Sequence, residues 1–205
     1  MNTDSWIEKQ EIALKVSSFA WRDQYRWTEL RALFAEQATI SVSWYSGSID
    51  GFIAASRKMA LAEEAQTKHS IGVPRISVCG ERALAETDIA ILNRSSVGPL
   101  EVDVTSYARF FDRLVRDTLR GWKILSRVAI YEKDRIGPLV PSLLFWWINR
   151  FAPYHKYPRE LKHLAYGLER KGYKLAPDFV TSGSTQERKL KSDALVWLGK
   201  GTMLP

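Results

Sequence analysis

Asp23 and His69 are the two residues whose type and setting invite chemistry. Asp23 falls in the series Ile12, Val16, Phe19, Asp23 and Trp27, whose spacing of three or four residues makes one helical face. A carboxylate in that apolar stripe loses hydration without an obvious gain. It is either a structural acid, satisfied by amides or by an arginine such as Arg94 or Arg109, or an acid with a chemical task. His69 opens a strand, so its imidazole projects at the rim or mouth of a sheet, as a packed bystander or as a proton-transfer group. A further set, Asp103, Thr105, Tyr107 and Arg109, alternates with Val102, Val104, Ser106 and Ala108. On a concave face these four polar side chains would line a pocket; on a solvent face they carry no message.

Other chemistries lack their residues. The histidines have no metal-ligand spacing, and Cys79 is the single cysteine, so neither a metal centre nor an internal disulfide is expected. No glycine-rich phosphate loop and no Gly-x-Ser-x-Gly elbow occurs. His155 and His163 lie in the tail and read as bystanders.

The elements that must position these groups follow from periodicity. Residues 5–35 read as one long helix, and residues 39–45 alternate as a short strand ending in a turn at Ser46-Gly47-Ser48. Asp50 is placed to cap a second helix through Phe52, Ile53, Ser56, Met59 and Ala60. From His69 the pattern becomes strands. Residues 69–80 form the first, with Pro74 shifting the alternation, and hairpin turns near Gly80, Gly98 and 117–121 lead into strands over 83–95, 101–116 and 122–132. Helices followed by a strand meander make an α+β fold with one curved antiparallel sheet.

At 205 residues, 45% hydrophobic and 26% charged, the chain has ample core for one domain with an appendage. Residues 1–133 hold 18 Lys and Arg against 17 Asp and Glu, whereas residues 134–205 hold 12 against 6. Those tail cations are scattered among Trp, Tyr and Pro, and no nucleic-acid motif appears, so a nucleic-acid partner is not expected. The longest apolar run, residues 139–148, is too short to span a bilayer. The N-terminus lacks the order of a signal peptide, and one thiol, read as buried in a strand, suits a reducing compartment; the expected location is cytoplasmic.

Three segments resemble the SnoaL-like branch of the nuclear transport factor 2-like superfamily, over roughly residues 8–133. Trp21-Arg22-Asp23-Gln24-Tyr25-Arg26-Trp27 resembles the family's first-helix motif, in which an Asp lies four residues before a Trp. Thr67-Lys68-His69-Ser70-Ile71-Gly72 resembles the histidine segment of scytalone dehydratase, and Gly121-Trp122-Lys123-Ile124 the opening of the last strand. The resemblance implies a cone-shaped fold, with N-terminal helices packed on the curved sheet: a SnoaL-like domain over 1–133 and a C-terminal helical extension over 134–205. The extension would wrap the domain or a neighbouring subunit.

The resemblance also assigns roles. In scytalone dehydratase and hexachlorocyclohexane dehydrochlorinase an Asp–His pair performs elimination without a cofactor, and that pair falls on Asp23 and His69. His69 becomes the general base and Asp23 the group that fixes its tautomer. Thr105 and Tyr107 fall on substrate-contacting positions, with Tyr107 directed at a developing enolate oxygen. The two tyrosines that hold the leaving hydroxyl fall on Arg22 and Val42, and a second histidine falls near Asn93 or Arg94. Arg94 would then bind an anionic group or polarise a carbonyl, with Tyr25 or Tyr45 replacing the missing phenols. Trp44, Asn93 and Val42 complete the substrate-binding set.

The function implied is a lyase or dehydratase acting on a small hydrophobic, oxygenated molecule of aromatic, polyketide or steroid-like kind. Isomerisation or cyclisation, retro-aldol cleavage, or ligand binding without turnover are the alternatives. In the tail, Trp146, Trp147, Phe151 and Tyr154 would either lid the cone or make a homo-oligomer contact, as dimer or trimer.

Overall fold

In the computed structural model, residues 3–62 and 67–199 are described. The chain opens with α1 (Thr3–Ser17), continues into a 3-10 segment (Ser18–Gln24), and reaches α2 (Trp27–Ala32). The long helix expected over 5–35 is therefore broken, for a local reason. The hydroxyls of Ser17 and Ser18 donate to the carbonyls of Ala13 and Leu14, at 2.9 and 2.6 Å, competing with the regular ladder. Tyr25 then closes the tighter winding in the left-handed region at φ 59°. The predicted inward face survives the break in part, since Ile12, Val16 and Phe19 are buried.

The strand β1 (Phe34–Val42) starts earlier than periodicity suggests, and β2 (Tyr45–Ser48) occupies the residues read as a turn. The true turn is Ser43-Trp44. The helix α3 (Ile49–Ala62) buries Ile49, Phe52, Ile53, Ser56 and Met59 as its pattern predicts. Asp50 is not its cap: the Ser48 hydroxyl accepts from the Gly51 N–H, while Asp50 pairs with Arg31 at 2.6 Å.

The predicted first strand divides around Gly72-Val73-Pro74 into β3 (Thr67–Ile71) and β4 (Arg75–Cys79), both paired antiparallel to β5 (Arg82–Val97). Cys79 sits partly exposed at the end of β4. Long hairpins then join β5 to β6 (Leu100–Asp117) and β6 to β7 (Gly121–Pro138). Gly98 turns the first with φ 60°. In the second, the Asp117 carboxylate accepts from the N–H groups of Leu119 and Arg120. The strand order is β2-β1-β7-β6-β5-β3, and β1 joins β7 in parallel, so the sheet is mixed rather than purely antiparallel.

The extension begins inside this sheet, because β7 runs on through Pro138 past the expected break at 133/134. It continues as α4 (Leu143–Phe151), α5 (Lys162–Arg170), β8 (Val180–Thr181) and α6 (Thr185–Gly199). Leu161, Leu164, Ala165 and Leu168 join the principal core with Phe19, Phe52, Phe110 and Trp122. On the opposite face of the sheet, β8 pairs with Ile130 and Tyr131 of β7, and Val180 and Ala194 pack on Leu84, Phe111 and Ile130. The extension thus supplies core to both faces of one sheet. No described helix is long and apolar enough to cross a membrane.

Candidate active site

The 3-10 segment and β3 bring Asp23 and His69 together. One carboxylate oxygen of Asp23, Oδ2, accepts the backbone N–H of His69 at 2.6 Å, and the other, Oδ1, lies 2.8 Å from its Nδ1. A carboxylate can only accept, so Nδ1 carries a proton and Nε2 is the ring nitrogen left to act as base when the imidazole is neutral. Both side chains are about nine-tenths buried. The Phe19 ring meets the imidazole edge-on, with centroids 5.7 Å apart.

Burial dominates the protonation of His69. It drives the imidazole below its usual 6.5, against the pull of Asp23, with Arg22 and Arg127 adding in the same direction as burial. Burial also opposes ionisation of Asp23. Its hydrogen bonds to His69 and the positive charge beside it outweigh that, so the carboxyl sits below its usual value. At neutral pH the pair is therefore an aspartate holding a neutral imidazole.

His69 lines a partly open cavity of about 340 Å³ between the sheet and the helices, enough for a small organic molecule. Its walls are mostly apolar and aromatic: Phe19, Trp44, Phe52, Phe110 and Tyr131 are among them. The lining residues that carry a permanent charge, among those described, are Arg22, Arg170 and Lys171, and all are cationic. Beneath this floor lies Arg127, fully buried, doubly bonded to the fully buried Asp112 at 2.7 Å, with its guanidinium over Phe19 and Phe110. This pair braces the two aromatic walls from below. Among the described residues no cluster of three or more His, Cys, Asp and Glu is placed to hold a metal ion.

Of the substrate-binding residues expected from sequence, Val42, Trp44 and Asn93 line the cavity beside His69. Thr67 donates to Asn93 across the β3–β5 pair at 3.3 Å, which fixes that amide on the inner face. Thr105, Tyr107 and Arg94 lie on the other face. Along β6 it is Val102, Val104 and Phe110 that line the cavity, so the alternating residues 103, 105, 107 and 109 point away. Arg94 makes a two-pronged contact with Asp103 there, Tyr107 sits under Lys133, and Thr105 is buried against other neighbours. Arg109 on the same face binds Glu86, Glu132 and Glu187, so neither it nor Arg94 satisfies Asp23. Tyr25 is 60% exposed and packs on Trp27, bordering a shallow cleft behind Asp23. Tyr45 backs Trp44 and Phe52, and its hydroxyl donates to the Ser48 carbonyl.

Sequence reasoning missed the contribution of the extension. His163, Leu164, Tyr166 and Leu168 of α5 form part of the cavity wall. Farther along, the Ala176 N–H donates to the Ser43 carbonyl at 2.8 Å, and Tyr173 packs on Trp44. His163, read as a bystander, is held by Asp134 as His69 is by Asp23. No local motif links residues 134 and 163, so only the fold reveals the pair. Of the two roles expected for the tail aromatics, lid or oligomer contact, the lid is not seen: Trp146, Trp147 and Phe151 are exposed and stand outside the cavity, while Tyr154 packs edge-on against His163. The covering element is α5.

Helices packed over a curved mixed sheet give the fold seen in nuclear transport factor 2-like proteins. The chain belongs to the family of SnoaL-like domains, whose model matches residues 9–128. No curated protein sequence matches the chain significantly. Among solved structures it is similar to a candidate scytalone dehydratase from Novosphingobium aromaticivorans, at 17% identity and TM-score 0.56, covering 66% of this chain and 91% of that one. It is also similar to a type 2 hexachlorocyclohexane dehydrochlorinase, at 14% identity and TM-score 0.52, covering 65% and 90%. A third likeness is to the beta subunit of a candidate aromatic-ring-hydroxylating dioxygenase from N. aromaticivorans, at 16% identity and TM-score 0.51, covering 62% and 90%. At these identities the likeness is one of fold.

Proposed function

We propose that the protein is a cofactor-independent lyase of the dehydratase type, using Asp23 and His69 as an acid–base pair on a small hydrophobic, oxygenated substrate. The observation that carries this reading is the two-point grip of the Asp23 carboxylate on His69 at the wall of an otherwise apolar cavity. That grip sets the tautomer, aims Nε2, and stabilises the imidazolium that forms when it takes a proton. The likeness in fold to a candidate scytalone dehydratase and to a dehydrochlorinase supports elimination over other uses of the same pair.

Nε2 of His69 removes a proton from a carbon next to a carbonyl. The C–H electron pair becomes the new double bond, and the group on the neighbouring carbon leaves with its own pair. Negative charge gathers on the carbonyl oxygen meanwhile, and the cationic residues Arg22, Arg170 and Lys171 on the lining suit that charge. The apolar walls keep water away and strengthen each of these electrostatic effects.

The test uses a β-hydroxy aryl ketone, whose dehydration to the conjugated enone is followed by absorbance. His69→Ala is expected to slow turnover by about 10²–10⁴-fold, the usual worth of a positioned base. Asp23→Asn is expected to slow it substantially by disturbing the tautomer. Turnover at the wild-type rate in both variants, or tight ligand binding with no turnover in the wild type, would overturn the proposal.

A further inference from the structure

We propose that Asp134 and His163 form a second acid–base pair on the same cavity, with His163 as the acid that protonates the departing oxygen. The inference rests on the reading of His69 as the base. His163 lies beyond residue 128, where the match to the family ends, so it is a feature of this chain's own extension.

The two pairs repeat one geometry. Asp134 Oδ1 lies 2.9 Å from Nδ1 of His163, and Oδ2 accepts the backbone N–H of the same residue at 2.7 Å. The corresponding distances at Asp23 and His69 are 2.8 and 2.6 Å. Because the carboxylate occupies Nδ1, Nε2 is the ring nitrogen that His163 has left to react, and the residue lines the cavity. The Tyr154 ring packs edge-on at 4.6 Å and limits rotation of the imidazole.

A purely structural account explains half of this arrangement. Asp134 Oδ2 accepts from the N–H groups of both His163 and Leu164 at the start of α5, satisfying main-chain donors the helix leaves open. Any residue at position 163 would receive that cap, because it uses only the main chain. The second oxygen, held on Nδ1, is left over by this account, and it fixes an imidazole into the cavity wall. Asp134 itself is fully buried, and a buried charge needs partners such as this contact and the cap.

A hydroxide is a poor leaving group, and a base alone does not expel it. In the step assigned here, His69 takes the carbon-bound proton and the C–H pair forms the double bond. The C–O bond breaks with its pair to oxygen, and His163, which the step requires as its imidazolium, gives its Nε2 proton to that oxygen, so water departs. His69 ends protonated and His163 neutral, and solvent restores both. Asp134 is a positioning residue for His163.

Two probes separate the roles: a β-hydroxy aryl ketone and the same ketone carrying a β-(4-nitrophenoxy) group, which leaves without a proton. His163→Gln is expected to slow the hydroxy probe by about 10²–10⁴-fold and to leave the nitrophenoxy probe near the wild-type rate. His69→Gln is expected to slow both. The main-chain cap persists in His163→Gln, and an unchanged melting temperature verifies the fold. Equal slowing of both probes by His163→Gln, or no effect on either, would overturn the acid role. If His69→Gln slows both probes while His163→Gln slows neither, the base stands and only this inference falls. If His69→Gln slows neither, the base reading itself falls.

Discussion

The two faces of β6 differ more than the residues of that strand suggest. On the inner face Val102, Val104 and Phe110 line the cavity, and the buried Asp112 holds Arg127 beneath it. On the outer face Arg109 gathers Glu86, Glu132 and Glu187, with Lys191 bonded to Glu86 and Glu187 at 2.9 and 3.0 Å. The outer face is richer in polar side chains, yet its polarity is consumed in fastening α6 to the sheet. The inner face has fewer polar groups, but the two imidazoles that line its cavity each keep Nε2 outside the contact with their carboxylate. For chemistry, what counts is an ionisable group held firmly on one side and open on the other.

Breaking the inner ion pair should give the largest change in stability. Asp112→Ala leaves the Arg127 guanidinium buried without its anion, and a loss of about 3–5 kcal/mol is expected in chemical denaturation. The outer network is partly wet, and truncating its centre should cost less. Arg109→Met is expected to lose about 2 kcal/mol, with turnover of the β-hydroxy ketone close to wild type. A comparable loss of turnover in Arg109→Met would collapse the distinction between the faces.

Acidity sharpens the same contrast. Because burial places His69 below 6.5, the base form persists at neutral pH and the acid limb of kcat/KM lies below that value. Asp23 pulls this pKa upward, so in Asp23→Asn the residual activity should show its acid limb at still lower pH. Stability shifts with the same sign. A His with a depressed folded pKa contributes fully above 6.5, and the contribution fades as pH falls, because the unfolded chain takes up the proton first. On the outer face, Glu187 is burdened by burial yet held down to about 2 by the Gly183 N–H, Lys191 and Arg109, so the network keeps this anion throughout the window in which His69 titrates. The smallest effect belongs to the exposed outer pair. Arg94→Ala is expected to leave both the denaturation midpoint and turnover at the wild-type level. A marked loss of turnover would return Arg94 to the site.

The order of elements was legible along much of the chain because periodicity and turn residues are local signals. The β5–β6 and β6–β7 hairpins lie where Gly98 and the 117–121 turn put them, and the apolar face of α3 buries as its spacing implies. Where a local signal was ambiguous the reading failed. The helix read over 5–35 takes in Phe34 and Ala35, which belong to β1, where Phe34 pairs with β7. The alternation of residues 103–109 gives the correct periodicity and leaves open which phase faces inward; it is the family resemblance that puts Thr105 and Tyr107 in a site they do not line.

By itself the sequence determined that a carboxylate in an apolar stripe needs a partner, and that His69 belongs to a strand, although that strand opens two residues earlier, at Thr67. It also determined that helices precede a meander of long strands. Only the tertiary structure decided that Asp23 meets His69 rather than Arg94 or Arg109. It likewise decided that the extension folds back to wall the cavity, and that Asp134 meets His163. The reason is distance along the chain. Periodicity reports on residues a few positions apart, whereas Asp23 and His69 stand 46 positions apart and Asp134 and His163 stand 29 apart. Such contacts are set by how the whole sheet closes over its core.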